Sequence, residues 1–132
     1  MTLMKKNPES QLETDPGSTA TLAVWRLLGL AAKAGAVASG NQAIRQSLVR
    51  QQARLVLLAP DAAENTRQKM VRMCQNQKVT VLEFGSMAEI SRWTGHESRA
   101  AAAILDPGFA GRLQQLISLV DSPAQDGRPF AE

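Results

Sequence analysis

Between residues 21 and 34 the apolar side chains Leu22, Trp25, Leu28 and Ala32 return every three to four positions, and the run stops at Gly35. That period and that ending predict an amphipathic helix. A short extended piece at 36–38 follows, then a second helical segment to about residue 51 with Ala43, Ile44 and Leu48 facing inward. The pattern changes at 54–59, where Arg54 opens an unbroken apolar run, Leu55 to Ala59, ended by Pro60. An apolar run without polar alternation is what a strand buried on both faces needs. A helix over 65–77 and a strand over 79–84, ended by Gly85, come next. Ser86 and Glu89 have the spacing of a capping box and open a short helix that Gly95 closes. Residues 100–105 read as a third core strand and Asp106-Pro107-Gly108 as a turn. The last helix, over 109–120, buries Leu113, Leu116, Ile117 and Val120.

Helices alternating with buried strands predict an α/β fold, an α-β-α sandwich. Residues 1–20 and 121–132 are polar and aperiodic and are expected to be disordered tails around one domain, 21–120. A chain of 132 residues with 44% hydrophobic content is long enough for one real core. It has no apolar run near the roughly 18 residues of a membrane span. No apolar stretch follows Lys5 and Lys6, so no secretory signal is read and a cytoplasmic location is expected. The single cysteine, Cys74, has no disulfide partner and reads as a small buried hydrophobe among Met70, Val71 and Met73.

The net charge of +3 understates the body of the protein. Residues 21–120 hold twelve Lys and Arg against six Asp and Glu, a balance of +6, and nine of the cations are arginines. Arginine can fork onto a phosphate or a guanine, so the balance points to a polyanionic partner.

Catalytic chemistry finds no such support. His96 is the only histidine, which excludes a Ser-His-Asp set and a metal bound by paired histidines. Asp61 and Glu64 lie ahead of a helix, where first-turn charges are the ordinary reading. There is no G-x-G-x-x-G and no P-loop. No enzyme activity, metal or cofactor is expected.

Binding chemistry is concentrated in three stretches. Ser39-Gly40-Asn41-Gln42-Ala43-Ile44-Arg45 is a helix start, with Ser39 and Gln42 spaced as a capping box. The same stretch sets Asn41 and Gln42, bidentate hydrogen bonders, one turn before Arg45 on a helix end that favours anions. The expected division is that Ser39 caps alone and Gln42 faces the partner. The second stretch is the loop from Gly95 to Ala101, whose small residues let a nucleotide approach the backbone. The third, Pro60 to Asn65, leaves the carboxyl end of the central strand.

These residues also carry a resemblance. LLGLAAKAG at 27–35, Ser39-Gly40, LVLLA at 55–59 and DAAENT at 61–66 resemble the YlxQ branch of the kink-turn-binding ribosomal protein family. That family includes the large-subunit proteins seven-A-e and thirty-e and bacterial YlxQ and YbxF. Gly95-His96-Glu97 and Asp106-Pro107-Gly108-Phe109-Ala110 extend the match to about residues 22–113. The resemblance implies a sandwich around a four-stranded mixed sheet, no catalysis, and binding to kink-turn RNA, a sharply bent internal loop with tandem G·A pairs. It implies RNA contacts from Lys33, Gly40, Asn41, Gln42, Arg45, Asp61, Glu97, Ser98, Arg99 and Ala100. Asn41 and Gln42 would meet the guanines, and Arg45 would fall where the family has a lysine. Residues 97–101 would cover an extruded nucleotide, with Arg99 on a phosphate. A monomer is expected, bound to ribosomal or another non-coding RNA. Two other readings are a protein-interaction module, marked by an exposed Trp25 or Trp93, and a detached recognition domain of an RNA-modifying complex.

Overall fold

The computed structural model describes residues 16–95 and 99–125. Among these the elements run α1 (Pro16–Lys33), β1 (Val37–Ser39), α2 (Asn41–Val49), β2 (Leu55–Leu58), α3 (Glu64–Asn76), β3 (Val81–Glu83), α4 (Met87–Thr94), β4 (Ala101–Ile104) and α5 (Pro107–Gln125). The strands form one sheet in the order β1-β4-β2-β3. β4 is antiparallel to both its neighbours, while β2 and β3 run parallel. This is the α/β sandwich with a mixed four-stranded sheet that was expected.

The pleat builds two cores from the two central strands. Every residue of β2 and β4 is buried. Leu55, Leu57, Ala102 and Ile104 point to one face, where they pack with Val24, Trp25 and Leu28 of α1, Ile90 of α4, and Leu113 and Ile117 of α5. Val56, Leu58, Ala101 and Ala103 point to the other, against Ile44 and Leu48 of α2 and Met70 and Cys74 of α3. Alternate side chains of a strand leave opposite faces, so each strand feeds both layers at once. Burying each of the four large side chains of β2 contributes about 1.5–3 kcal/mol.

Several sequence expectations need correction. α1 begins at Pro16 and α5 runs to Gln125, so five residues of each expected tail are helical. The rest of the tails, 1–15 and 126–132, lies outside the described residues. Leu22 is 43% exposed, because the buried stripe of α1 is Val24, Trp25, Leu28 and Ala31. Two residues are roughly 200° around a helix, which turns Leu22 away from Val24. Ala43 is exposed and Ser47 takes the inward place, its hydroxyl donating to the Ile44 carbonyl at 2.7 Å. The strand expected over 79–84 is confined to β3. Asp106-Pro107-Gly108 is not a turn but the start of α5: the Asp106 carboxylate accepts from the Phe109 amide at 2.9 Å. Pro107 occupies the first helical position, where a missing N–H leaves nothing unsatisfied.

The capping box before α4 forms in one direction, the Ser86 hydroxyl accepting from the Glu89 amide at 3.2 Å, and Gly95 closes the helix in the left-handed conformation. Gly85 just ahead is required on two counts. Its φ is +71°, and a Cβ there would sit 2.3 Å from Cζ2 of Trp25. That indole is fixed in turn by Phe84, with ring centroids 5.1 Å apart. No helix among the described residues is long and apolar enough to cross a membrane.

Two predictions follow from this packing. Gly85→Ala should lower unfolding free energy by about 2–5 kcal/mol, from backbone strain and overpacking together. Denaturant titration checks it, and a loss below about 1 kcal/mol would mean that the indole yields freely. The second concerns Cys74, which is buried and whose thiol is pushed by desolvation from an ordinary value near 9 up to about 11. The folded state therefore holds the thiol proton more tightly than the unfolded chain does. Stability from this group is complete below pH 9 and is lost as pH rises towards 11. Unfolding curves of the wild type and Cys74→Ala across that range should converge as the pH rises, and native Cys74 should resist alkylation at pH 9.

Candidate nucleic-acid interface

Strand pairing decides how α2 begins. Ser39 is opposite Ala102 in the β1–β4 ladder, which keeps it in the sheet. The helix cap falls instead on Gly40, with φ 94° and ψ 143° and no side-chain capping bond. The expected Ser39 cap and its box with Gln42 therefore do not form. Gly40 contributes only its carbonyl, which accepts from the Ile44 amide at 3.0 Å. The first-turn N–H groups of such a helix have no intrahelical acceptor, and α2 has no acid in that turn to neutralise them. Asn41, Gln42 and Arg45 are exposed around this opening.

Arg99 comes to the same place from the far end of the chain. Its guanidinium Nη1 lies 2.9 Å from the position a Cβ on Gly40 would occupy, so the group lies across the glycine. The Arg99 amide donates to the Ser91 hydroxyl at 2.7 Å, fixing the backbone there. Its Nε is buried without a hydrogen-bond partner. Two of the three expected stretches thus converge on the start of α2.

Behind this start a groove of about 560 Å³ separates α2 from α3. Asn41, Gln42, Gln46 and Asn65 supply amides, Arg45 and Lys69 supply positive charge, and Met70 and Met73 lie deeper. No acid lines it. Gln46, Thr66 and Lys69 were absent from the sequence-derived set. Gln46 is legible as one turn beyond Gln42, but Thr66 and Lys69 join only through the packing of α3.

The other expected residues divide. Asp61 is exposed, but its Oδ1 accepts from the Met87 amide at 2.9 Å and so ties the end of β2 to the start of α4. Ala100 is half-buried, and its carbonyl accepts from the Ala59 amide at 2.8 Å, which continues the β2–β4 ladder. Lys33 lies on a separate groove between α1 and α4. Glu97 and Ser98 fall outside the described residues. Of the two tryptophans, Trp25 is 3% exposed and Trp93 is half-buried.

Acids and cations are used differently. Asp61 and Asp106 accept backbone amides at helix starts, while Glu64 and Glu83 bind Arg67 at 2.5 and 2.6 Å. The hydrogen bond and charge of Glu83, with help from Glu64, hold the Arg67 guanidinium more firmly protonated than usual. Arg67 is the one cation with an ion pair among the described residues. Arg45, Lys69 and Arg99 remain uncompensated, an arrangement that attracts phosphates. No cluster of His, Cys, Asp or Glu among the described residues could hold a metal ion.

Residues 23–114 match the model of the ribosomal protein L7Ae/L30e/S12e/Gadd45 family. The chain belongs to this family. RNA-binding protein YlxQ of Bacillus subtilis (strain 168) is 40% identical over 95 residues, 72% of this chain and 92% of that protein. RNA-binding protein YlxQ of Enterococcus faecium is 34% identical over 91 residues, 69% and 87% of the two chains. Among solved structures, a Bacillus halodurans C protein of unknown function has a TM-score of 0.68 at 29% identity, over 72% of this chain and 96% of its own. The Giardia lamblia 15.5kD RNA binding protein has a TM-score of 0.62 at 18% identity, over 83% and 98%, a likeness of fold. The resemblance read from the sequence is thereby established, and membership sets the chain among non-enzymes, as expected.

The geometry separates one residue's roles by experiment. Asp61→Ala removes the acceptor at the start of α4 and should cost about 0.5–2 kcal/mol of stability, the usual worth of a helix-start acceptor. RNA affinity measured well below the melting temperature should change less than twofold. A stable variant with weakened RNA binding would instead make Asp61 an RNA contact.

Proposed function

We propose that this chain is an RNA-binding protein that recognises kink-turns, or closely related structured internal loops, through the start of α2, and stabilises their bent form. The observation that carries this reading is the convergence of Asn41, Gln42, Arg45 and Arg99 on an uncapped helix start, beside a groove with no acid among its described residues. Relatives named as RNA-binding proteins support the RNA itself. The family resemblance supports the kink-turn.

Each part has a physical task. Asn41 and Gln42 present paired donor and acceptor atoms, suited to the base edges of the sheared G·A pairs. Arg45 lies one turn on and takes a guanine edge or the adjacent phosphate. Gly40, lacking a side chain, lets the sugar-phosphate backbone approach the free N–H groups. Arg99 takes a phosphate over Gly40, and the 97–101 segment covers an extruded nucleotide. Lys69 extends the positive surface along the groove. No bond is made or broken. A kink-turn exchanges between extended and bent forms, and a protein that fits only the bent one raises its population by its differential affinity. The protein acts as a monomer in the cytoplasm, on ribosomal or another non-coding RNA.

A gel-shift titration against a kink-turn duplex and a control with disrupted G·A pairs tests the reading. The wild type should prefer the intact motif, and equal affinity for both would sink the motif-specific claim. Combined replacement of Asn41, Gln42 and Arg45 by Ala should abolish the preference with the fold intact, each lost bidentate contact costing about 1–3 kcal/mol. Lys69→Ala should weaken both RNAs alike and reduce the salt slope by about one.

A further inference from the structure

A second groove, about 610 Å³, lies between α1 and α4, on the opposite side of the sheet from α2 and α3. Arg26 and Lys33 of α1 and Arg92 of α4 line it, together with Leu30 and Trp93. Leu30 is 58% exposed and is flanked by these charges. Among the described residues no acid lines the groove, and none of its three cations has an ion-pair partner. Charge alone therefore calls for an anionic occupant.

Whether that occupant is nucleic acid or protein depends on the rest of the wall. Arginine and lysine can take a guanine edge, but reading an adenine takes side-chain amides or free hydroxyls, as the α2–α3 groove has. Here no amide is present among the described residues, and the hydroxyl of Thr94 is buried and donates to the Ile90 carbonyl at 2.7 Å. Stacking a base takes an open ring face. Gly29 crowds the Trp93 ring, a Cβ there standing 3.3 Å from Cε3, and the Arg92 guanidinium sits over it, 5.5 Å from the centroid. A partly covered Trp between two arginines is the composition of a protein-interface anchor, and the exposed Leu30 beside it adds apolar surface.

We propose that the α1–α4 groove docks an acidic amphipathic protein segment. Its apolar side chains seat on Leu30 and Trp93, and its carboxylates pair with Arg26, Lys33 and Arg92. This assigns Lys33 to a protein contact rather than to RNA. Because α2 lies across the sheet, the chain holds RNA on one face and a protein on the other. The docking claim itself does not depend on which RNA motif α2 prefers.

A displayed peptide library selected on the full chain, and in parallel on Leu30→Asp, tests it. The expected enrichment on the wild type is for sequences that interleave Asp and Glu with Leu, Ile or Phe. A synthetic peptide of the most enriched sequence should move the indole N–H resonance of Trp93 and leave that of buried Trp25 in place. Its affinity should fall at least tenfold in Leu30→Asp and in Arg26→Glu, two surface substitutions whose folding a melting curve checks. The kink-turn duplex should bind equally with and without the peptide. Failure to enrich acidic sequences with apolar anchors overturns the proposal, as does a selected peptide that leaves Trp93 unmoved or binds Leu30→Asp equally well. Displacement of the peptide by RNA, with the Trp93 resonance moved by RNA alone, would give the groove to nucleic acid and also overturn it.

Discussion

Both faces of β2 and β4 must be kept dry, and the rest of the molecule is arranged around that requirement. Their eight side chains are buried, alternating between two separate cores. One helical layer would leave half of them in water, so α1, α4 and α5 cover one face and α2 and α3 the other. The alanines at 101–103 add little bulk and let the facing helices approach the sheet closely. With the interior closed in this way, chemistry is confined to helix ends and to the grooves between helices. The start of α2 is one such end, and its position follows from the pairing of β1 with β4.

Electrostatics divides along the same line. The acids of the described body largely serve the fold itself, two of them at helix starts, where a carboxylate meets open amides and the positive end of the dipole. Two more neutralise Arg67. Surface pairs of this kind add little to stability, about 0–1 kcal/mol each. Their larger effect is to leave Arg67 without free positive charge, the two carboxylates more than matching its one guanidinium. In the α2–α3 and α1–α4 grooves a ligand meets positive charge, with amides in the first and apolar side chains in the second.

Much of this was readable from the chain, for reasons tied to particular residues. The unbroken run at 55–59 announced a doubly buried strand because nothing polar interrupts it, and the small apolar residues at 100–105 did the same. Asn41, Gln42 and Arg45 were legible because helical spacing alone puts them together. The errors arose where distant partners decide. Ser39 looked like a cap, but its place in the ladder opposite Ala102 moved the cap to Gly40. The bond from the Met87 amide to Asp61, 26 residues away, likewise has no local pattern to announce it. Asp106-Pro107-Gly108 has turn composition, and composition does not distinguish a turn from a capped helix start. The approach of Arg99 to Gly40 has no local signal at all.

The strand order carries a consequence for how the molecule comes into being. β4 lies between β1 and β2, yet it is the last strand in the chain. A polypeptide made from its amino end cannot close the sheet until residues 101–104 have emerged, since β1 pairs with nothing but β4. Until then Ser39 has no ladder to hold it, and Arg99 has not arrived over Gly40. Non-local pairing of this sort is slow to nucleate and leaves strand edges open meanwhile. The start of α2 therefore matures late in synthesis, once β4 has taken its place between β1 and β2.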